Sequence, residues 1–162
     1  LIKVAKLYPR IIETSTLPIL FALLPSSAPS SSSSESEIYR RSLTSLASLS
    51  LHPDLFEILS LRLLARLEGV CASSFPDPLE QSNNSLYAHH LLATLRAVLV
   101  QKAEKGHEDI QKYVEKLVPR LFAIFVLPTV TSMDKGEVAK DARLLADVGE
   151  VVASIIQKVD VA

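Results

Sequence analysis

The sequence predicts an all-α chain, and three observations carry that reading. Apolar residues recur at helical spacing almost everywhere. No segment of five or more residues alternates cleanly with β-branched enrichment. And one phrase is written twice: "KLYPRIIETSTLP" from Lys6 to Pro18 and "KLVPRLFAIFVLP" from Lys116 to Pro128, with six identities in thirteen positions. Ile110, Tyr113, Val114, Leu117, Val118, Leu121 and Phe125 follow the i, i+3, i+4, i+7 rule, as do Ala88, Leu91, Leu92, Leu95, Val98 and Leu99.

Taken in order, residues 1–7 read as the tail of another helix. A helix follows at 9–24, with Pro9 at its first turn and Pro18 bending or ending it. "PSSAPSSSSSES" at 25–36 has no apolar surface to bury and predicts a mobile surface loop. The Ser34–Glu37 spacing of a capping box opens a helix over 36–50. After the tight turn "HPD", Asp54 and Glu57 have the same spacing and open a helix at 54–72. Leu55, Phe56, Ile58, Leu59, Leu61, Leu63, Leu64 and Leu67 leave that helix only a narrow polar strip, as befits an element buried on two sides. A second long loop is expected at 74–84, then a helix at 85–104 closed by Gly106 as a left-handed cap. Asp109 caps a helix at 110–127, in which Pro119 and Pro128 repeat the roles of Pro9 and Pro18. The last helix, 137–160, carries the stripe Val138, Ala142, Leu145, Gly149, Val152, Ile156 and Val159.

The loops alternate between tight and long, which pairs the helices into hairpins. First helices begin near 36, 85 and 137, a repeat of about fifty residues, and second helices near 9, 54 and 110. One amphipathic hairpin leaves its own apolar face bare, and stacking the next hairpin covers it. The prediction is therefore a HEAT-type α-solenoid fragment of about three stacked hairpins, one unit over residues 1–162. A closed bundle of five or six helices is the competing architecture.

Bulk composition bounds the function. At 162 residues, 48% hydrophobic and 22% charged, the chain supports a sizeable core. A net charge of −1 gives no global field for nucleic acid or anionic lipid. One cysteine excludes an internal disulfide and fits a reducing compartment. The opening Leu-Ile-Lys reads as a piece of a longer protein. No stretch reaches the roughly twenty apolar residues of a membrane span.

Catalytic and metal signatures are missing. His89 and His90 are adjacent and point apart on a helix, while His52 and His107 sit at turns, so structural histidines are expected and no metal site or cofactor. Cys71 lies among apolar neighbours and reads as a small buried hydrophobe. None of the four glycines builds a phosphate-cradling loop.

One charge pattern points to binding. Lys112, Lys116 and Arg120 fall at i, i+4, i+8, Arg62 and Arg66 at i, i+4 on the preceding second helix, and Arg10 stands where Arg120 stands in the other copy of the phrase. If second helices line a concave surface, these residues form a basic ridge facing an acidic partner segment, diluted by Glu57, Glu68 and Glu115. The bland alternative is a solvated face.

"LHPDLFEILSLRLLARLE" and "SLYAHHLLATLRAVLVQKAEKGHEDIQKYVEKLVPRLFAIFV" carry a further signal, in the pattern YAH-x-LL-x-TL, then EKGH-x-D-x-x-KY, then LVPRLF. In these stretches the chain resembles the large HEAT-repeat adaptor family of the cytosolic iron–sulfur protein assembly targeting complex, the "MMS nineteen" nucleotide excision repair and transcription proteins, in a fungal version. The resemblance spans roughly residues 1–130. It implies a non-enzymatic scaffold from the middle of such a protein, cytoplasmic and nuclear. Its partners would be a β-propeller assembly factor with its small companion, and the iron–sulfur apoproteins they serve. No family binding residue maps onto a position here. Two other readings stand beside it: a nuclear transport receptor-like HEAT carrier, and a helical-bundle enzyme or regulatory domain.

Overall fold

The computed structural model describes residues 2–29, 34–106, 110–131 and 137–159. Among these there are seven helices and no strand: α1 (Ile2–Leu7); α2, composed of Pro9–Ile11, Ile12–Thr16 and Leu17–Ala22; α3 (Ser34–Ser50); α4 (Pro53–Ala72); α5 (Pro78–Glu104); α6, composed of Ile110–Leu121, Phe122–Val126 and Leu127–Thr131; and α7 (Ala142–Val159). A short 3-10 turn, Glu137–Lys140, precedes α7.

The helices pack in two rows. In one, α5 lies between α3 and α7; in the other, α4 packs on α6 and meets α2 through Arg62 and Phe21. Hairpins α3–α4 and α5–α6 cross between the rows, with α1–α2 at one end and α7 at the other. This is the stacked-hairpin, HEAT-like order that the loop alternation predicts.

The central helix explains why such a stack holds. Leu55, Phe56, Leu59, Leu63, Leu64, Leu67, Val70 and Cys71 of α4 are all buried. Each such Leu contributes about 1.5–3 kcal/mol when fully removed from water. No single neighbour covers so wide an apolar surface, so α4 has α5, α6 and α3 around it.

Both copies of the repeated phrase form the same irregularity. Ile12–Thr16 and Phe122–Val126 are π-helical, at identical positions in the phrase. The cause lies two residues further on. Pro18 and Pro128 lack an N–H and crowd the carbonyl four residues back. The turn widens in response: Leu17 N–H donates to Ile12 O and Leu127 N–H to Phe122 O, each reaching back five residues instead of four.

Several expectations need correction. The segment 74–84 is not all loop: α5 starts at Pro78, with Asp77 Oδ1 accepting from Leu79 N–H at 3.0 Å. The Asp77-Pro78 pair inside that expected loop is an N-cap followed by proline at N1. Asp54 and Glu57 form no capping box. The N-cap of α4 is His52 without a side-chain bond, and Glu57 turns to Lys116 instead. Residues 2–7 do form a helix distinct from the next, as expected: Tyr8, with φ −137° and ψ 63°, breaks α1 from α2, and its N–H closes α1 on Val4 O at 2.8 Å. In α7 the buried stripe is Leu144, Val148, Val151 and Ile155, one residue ahead of the predicted one, and Ile156 is exposed. The break at Asp141 resets the helical phase that the sequence pattern carried on from Val138. Gly106 behaves as predicted, with φ at 68° and its N–H on Ala103 O. Asp109 lies outside the described residues, as does the 30–33 part of the serine-rich loop. The described start of that loop is tied down: Tyr87 Oη donates to Pro25 O at 2.9 Å, and Ala28 N–H donates to Asn84 Oδ1 at 2.7 Å.

Candidate functional site

The row formed by α2, α4 and α6 carries the residues of the predicted ridge, and the structure divides them. Lys116 Nζ lies 2.8 Å from Glu57 Oε1, and Arg120 Nη2 lies 3.0 Å from Glu68 Oε2. Both pairs join α6 to α4, so these two cations brace neighbouring helices. Lys112 is exposed further along α6. Arg62 and Arg66 lie elsewhere, on the side of α4 that faces α2. The Arg62 guanidinium carbon sits 5.5 Å from the centre of the Phe21 ring. With Phe21, Ser26, Gly69 and Ser73, the two arginines line a surface cleft of about 490 Å³. The five residues therefore do not form one ridge. Lys116 and Arg120 form a braced seam between α4 and α6, Arg62 and Arg66 a separate cationic cleft between α2 and α4, and Lys112 belongs to neither.

Helix periodicity places Arg62 and Arg66 on one face but is silent about what stands opposite. Phe21 and Ser26 come from forty residues upstream, so their contribution was missed. No local signal marks a contact across that distance.

The other row is held by polar contacts of its own. His89 Nδ1 and Asp147 Oδ2 are 2.6 Å apart, and Arg96 Nη1 lies 2.6 Å from Glu150 Oε2, both joining α5 to α7. Tyr39 Oη on α3 meets His90 Nδ1 on α5 at 2.9 Å, and the Tyr39 and Tyr87 rings pack edge to face. Burial, with Arg40 and His89 nearby, lowers the pKa of His90 below its ordinary 6.5. The neutral imidazole is thus favoured in the fold. The stability it brings is present above about pH 6.5 and is lost as the pH falls through the depressed value.

The remaining candidates are placed as follows. Cys71 is buried, and desolvation pushes its thiol up to about 12. His52 has a buried Nδ1 whose nearest carboxylate oxygen, on Asp54, is 3.8 Å away. His107 lies outside the described residues. Arg10 is exposed at the joint between α1 and α2. Lys102 is fully buried, its Nζ 4.0 Å from the centre of the Phe56 ring. Among the described residues no cluster of three or more His, Cys, Asp or Glu is grouped to hold a metal, and no helix is long and apolar enough to cross a membrane.

Compared with known families, residues 42–162 match the family described as RNAPII transcription regulator C-terminal. That description refers to a C-terminal region, not to the middle segment that the resemblance implied. No curated protein and no solved structure matches.

Proposed function

The chain belongs to the RNAPII transcription regulator C-terminal family (MMS19_C), whose match takes in most of its length, and from that premise we propose that it is a non-enzymatic protein-interaction scaffold. In this reading it is a transcription- and repair-related helical adaptor that helps deliver iron–sulfur clusters to cytosolic and nuclear apoproteins. Its partners are a β-propeller assembly factor and its small companion, with the apoproteins brought to the same assembly. It takes no cofactor of its own and works in cytoplasm and nucleus without touching nucleic acid or membrane.

The supporting observation is the two-row stack. Its inter-helix ion pairs lie along exposed seams, as in the Lys116–Glu57 and Arg120–Glu68 pairs. A rigid stack of this kind acts by geometry. It presents anchors at fixed spacing, and a few of them carry most of the affinity.

Calorimetric titration of the folded chain with the preassembled β-propeller pair, at low and moderate salt, tests the proposal. Saturable, salt-sensitive binding is expected. Absence of binding by a folded, helical chain removes the contact from this segment and overturns the reading for it.

A further inference from the structure

We propose that the cleft between α2 and α4 is a docking point for an acidic segment of a protein partner, with Arg62 and Arg66 as the fork that grips its carboxylates. The inference rests on the scaffold reading above and gives it a specific contact. Among the described residues, neither arginine pairs with a carboxylate of this chain. Arg120 and Lys116, one seam away, have theirs. Two guanidinium groups one helical turn apart repel each other, and an incoming carboxylate relieves that repulsion.

The cleft is shaped for such a group. Phe21, itself almost wholly buried, lies under Arg62 at 5.5 Å and orients the flat guanidinium by cation–π contact. The floor is bare backbone at Gly69, where a Cβ would meet nothing within 4 Å. Ser73 Oγ donates to the Gly69 carbonyl at 2.9 Å and so offers the cleft its lone pairs, which can accept a peptide N–H. Exposed Ser26 closes the opposite side with a free choice of donor or acceptor. A peptide with a carboxylate at the arginines and backbone N–H groups toward Ser73 satisfies both sets.

The charges around the cleft favour an isolated acidic side chain over a polyanion. The cleft lining supplies two cations, Arg62 and Arg66, and the chain as a whole carries a net −1, so a continuous run of phosphates finds no extended basic track. The occupant has one or two carboxylates flanked by uncharged residues.

The test is arginine side-chain NMR on the whole chain. The probe is an eight-residue Ser/Ala peptide with two adjacent glutamates. Saturable shifts are expected at Nε–Hε of Arg62 and Arg66, with none at Arg41, Arg96 or Arg143. The same peptide with glutamines should not bind. Arg62→Gln with Arg66→Gln removes the response, and Gly69→Leu, which fills the floor and keeps both charges, weakens binding about tenfold. Circular dichroism establishes that each variant is folded; Arg62 is exposed and Arg66 half-buried, so the first variant removes no core side chain. No saturable shift, or equal response to the glutamine peptide, overturns the proposal. So does tighter binding of inorganic phosphate or of a single-stranded oligonucleotide. Peptide binding without binding of the β-propeller pair keeps the cleft and sinks the larger scaffold reading; the reverse outcome keeps the scaffold and sinks the cleft.

Discussion

The two copies of the proline-bearing phrase share a π turn ahead of their second proline and differ in which positions they bury. Leu7 is 73% exposed while its counterpart Leu117 is 1% exposed, and Ile11 is exposed while Leu121 is buried. Further along the contrast is mixed: Ile12 and Leu17 are buried where Phe122 and Leu127 are exposed, whereas Ile124, Phe125 and Pro128 are buried where Thr14, Ser15 and Pro18 are exposed. The first copy packs on α3 and meets α4 where Phe21 lies under Arg62; the second packs on α4 and also on α7. The same phrase therefore lends different residues to the core at the two ends of the stack.

That contrast is open to direct attack by substitution. Leu121→Ala should cost about 2–5 kcal/mol in urea unfolding and Ile11→Ala about 0.5 kcal/mol or less, whereas Leu17→Ala should cost far more than Leu127→Ala. Equal effects within either pair would break the comparison. A smaller effect is expected at the end beside the second copy. Asp141 Oδ1 caps α7 by accepting from Arg143 N–H at 2.9 Å, and the Arg143 guanidinium beside it holds its carboxyl below the usual range. Asp141→Ala should remove about 1 kcal/mol and raise amide exchange in α7 and the end of α6, leaving α1 and α2 untouched. Exchange spreading evenly along the chain would contradict the row order.

Proline tests whether the shared backbone has the cause assigned to it. Pro18→Ala restores an N–H and should convert Ile12–Thr16 toward an ordinary α turn, with stability changed by about 1 kcal/mol or less. Unchanged amide shifts there would mean that packing, not proline, widens the turn. The smallest contrast is electrostatic. A double-mutant cycle on Arg120 and Glu68 should give about 0.2–1 kcal/mol, screened by salt. Arg10, the counterpart of Arg120, pairs with no carboxylate among the described residues, so Arg10→Ala should be neutral. A measurable loss there would make the two ends more alike than the geometry shows.

Sequence and structure agree where a pattern is local and long. The apolar spacing in α4 and α5 located both helices, and alternating turn lengths located both rows. Boundaries failed where polar residues continue a helix. Gln81, Ser82, Asn83 and Asn84 have no apolar stripe, yet Asn84 is buried because it reaches across to Ala28. Lys102, in the last turn of α5, lies in the core over Phe56. Neither fate is visible until another element is placed beside it. The same limit governs the site. Spacing grouped Arg62 with Arg66 and Lys116 with Arg120, but only the packed rows show that one pair faces a cleft and the other faces glutamates.

Cys71 has a practical corollary. Its thiol is buried and protonated at any ordinary pH, so it is silent toward maleimides and other thiolate-seeking reagents while the fold holds. The native chain is thus a background-free host for spectroscopic labels. A cysteine introduced at exposed Ser26, or a pair at the exposed positions Leu7 and Leu127, will take spin or fluorescent tags alone. The spacing between the two ends of the row then becomes a ruler that any partner bridging them must read.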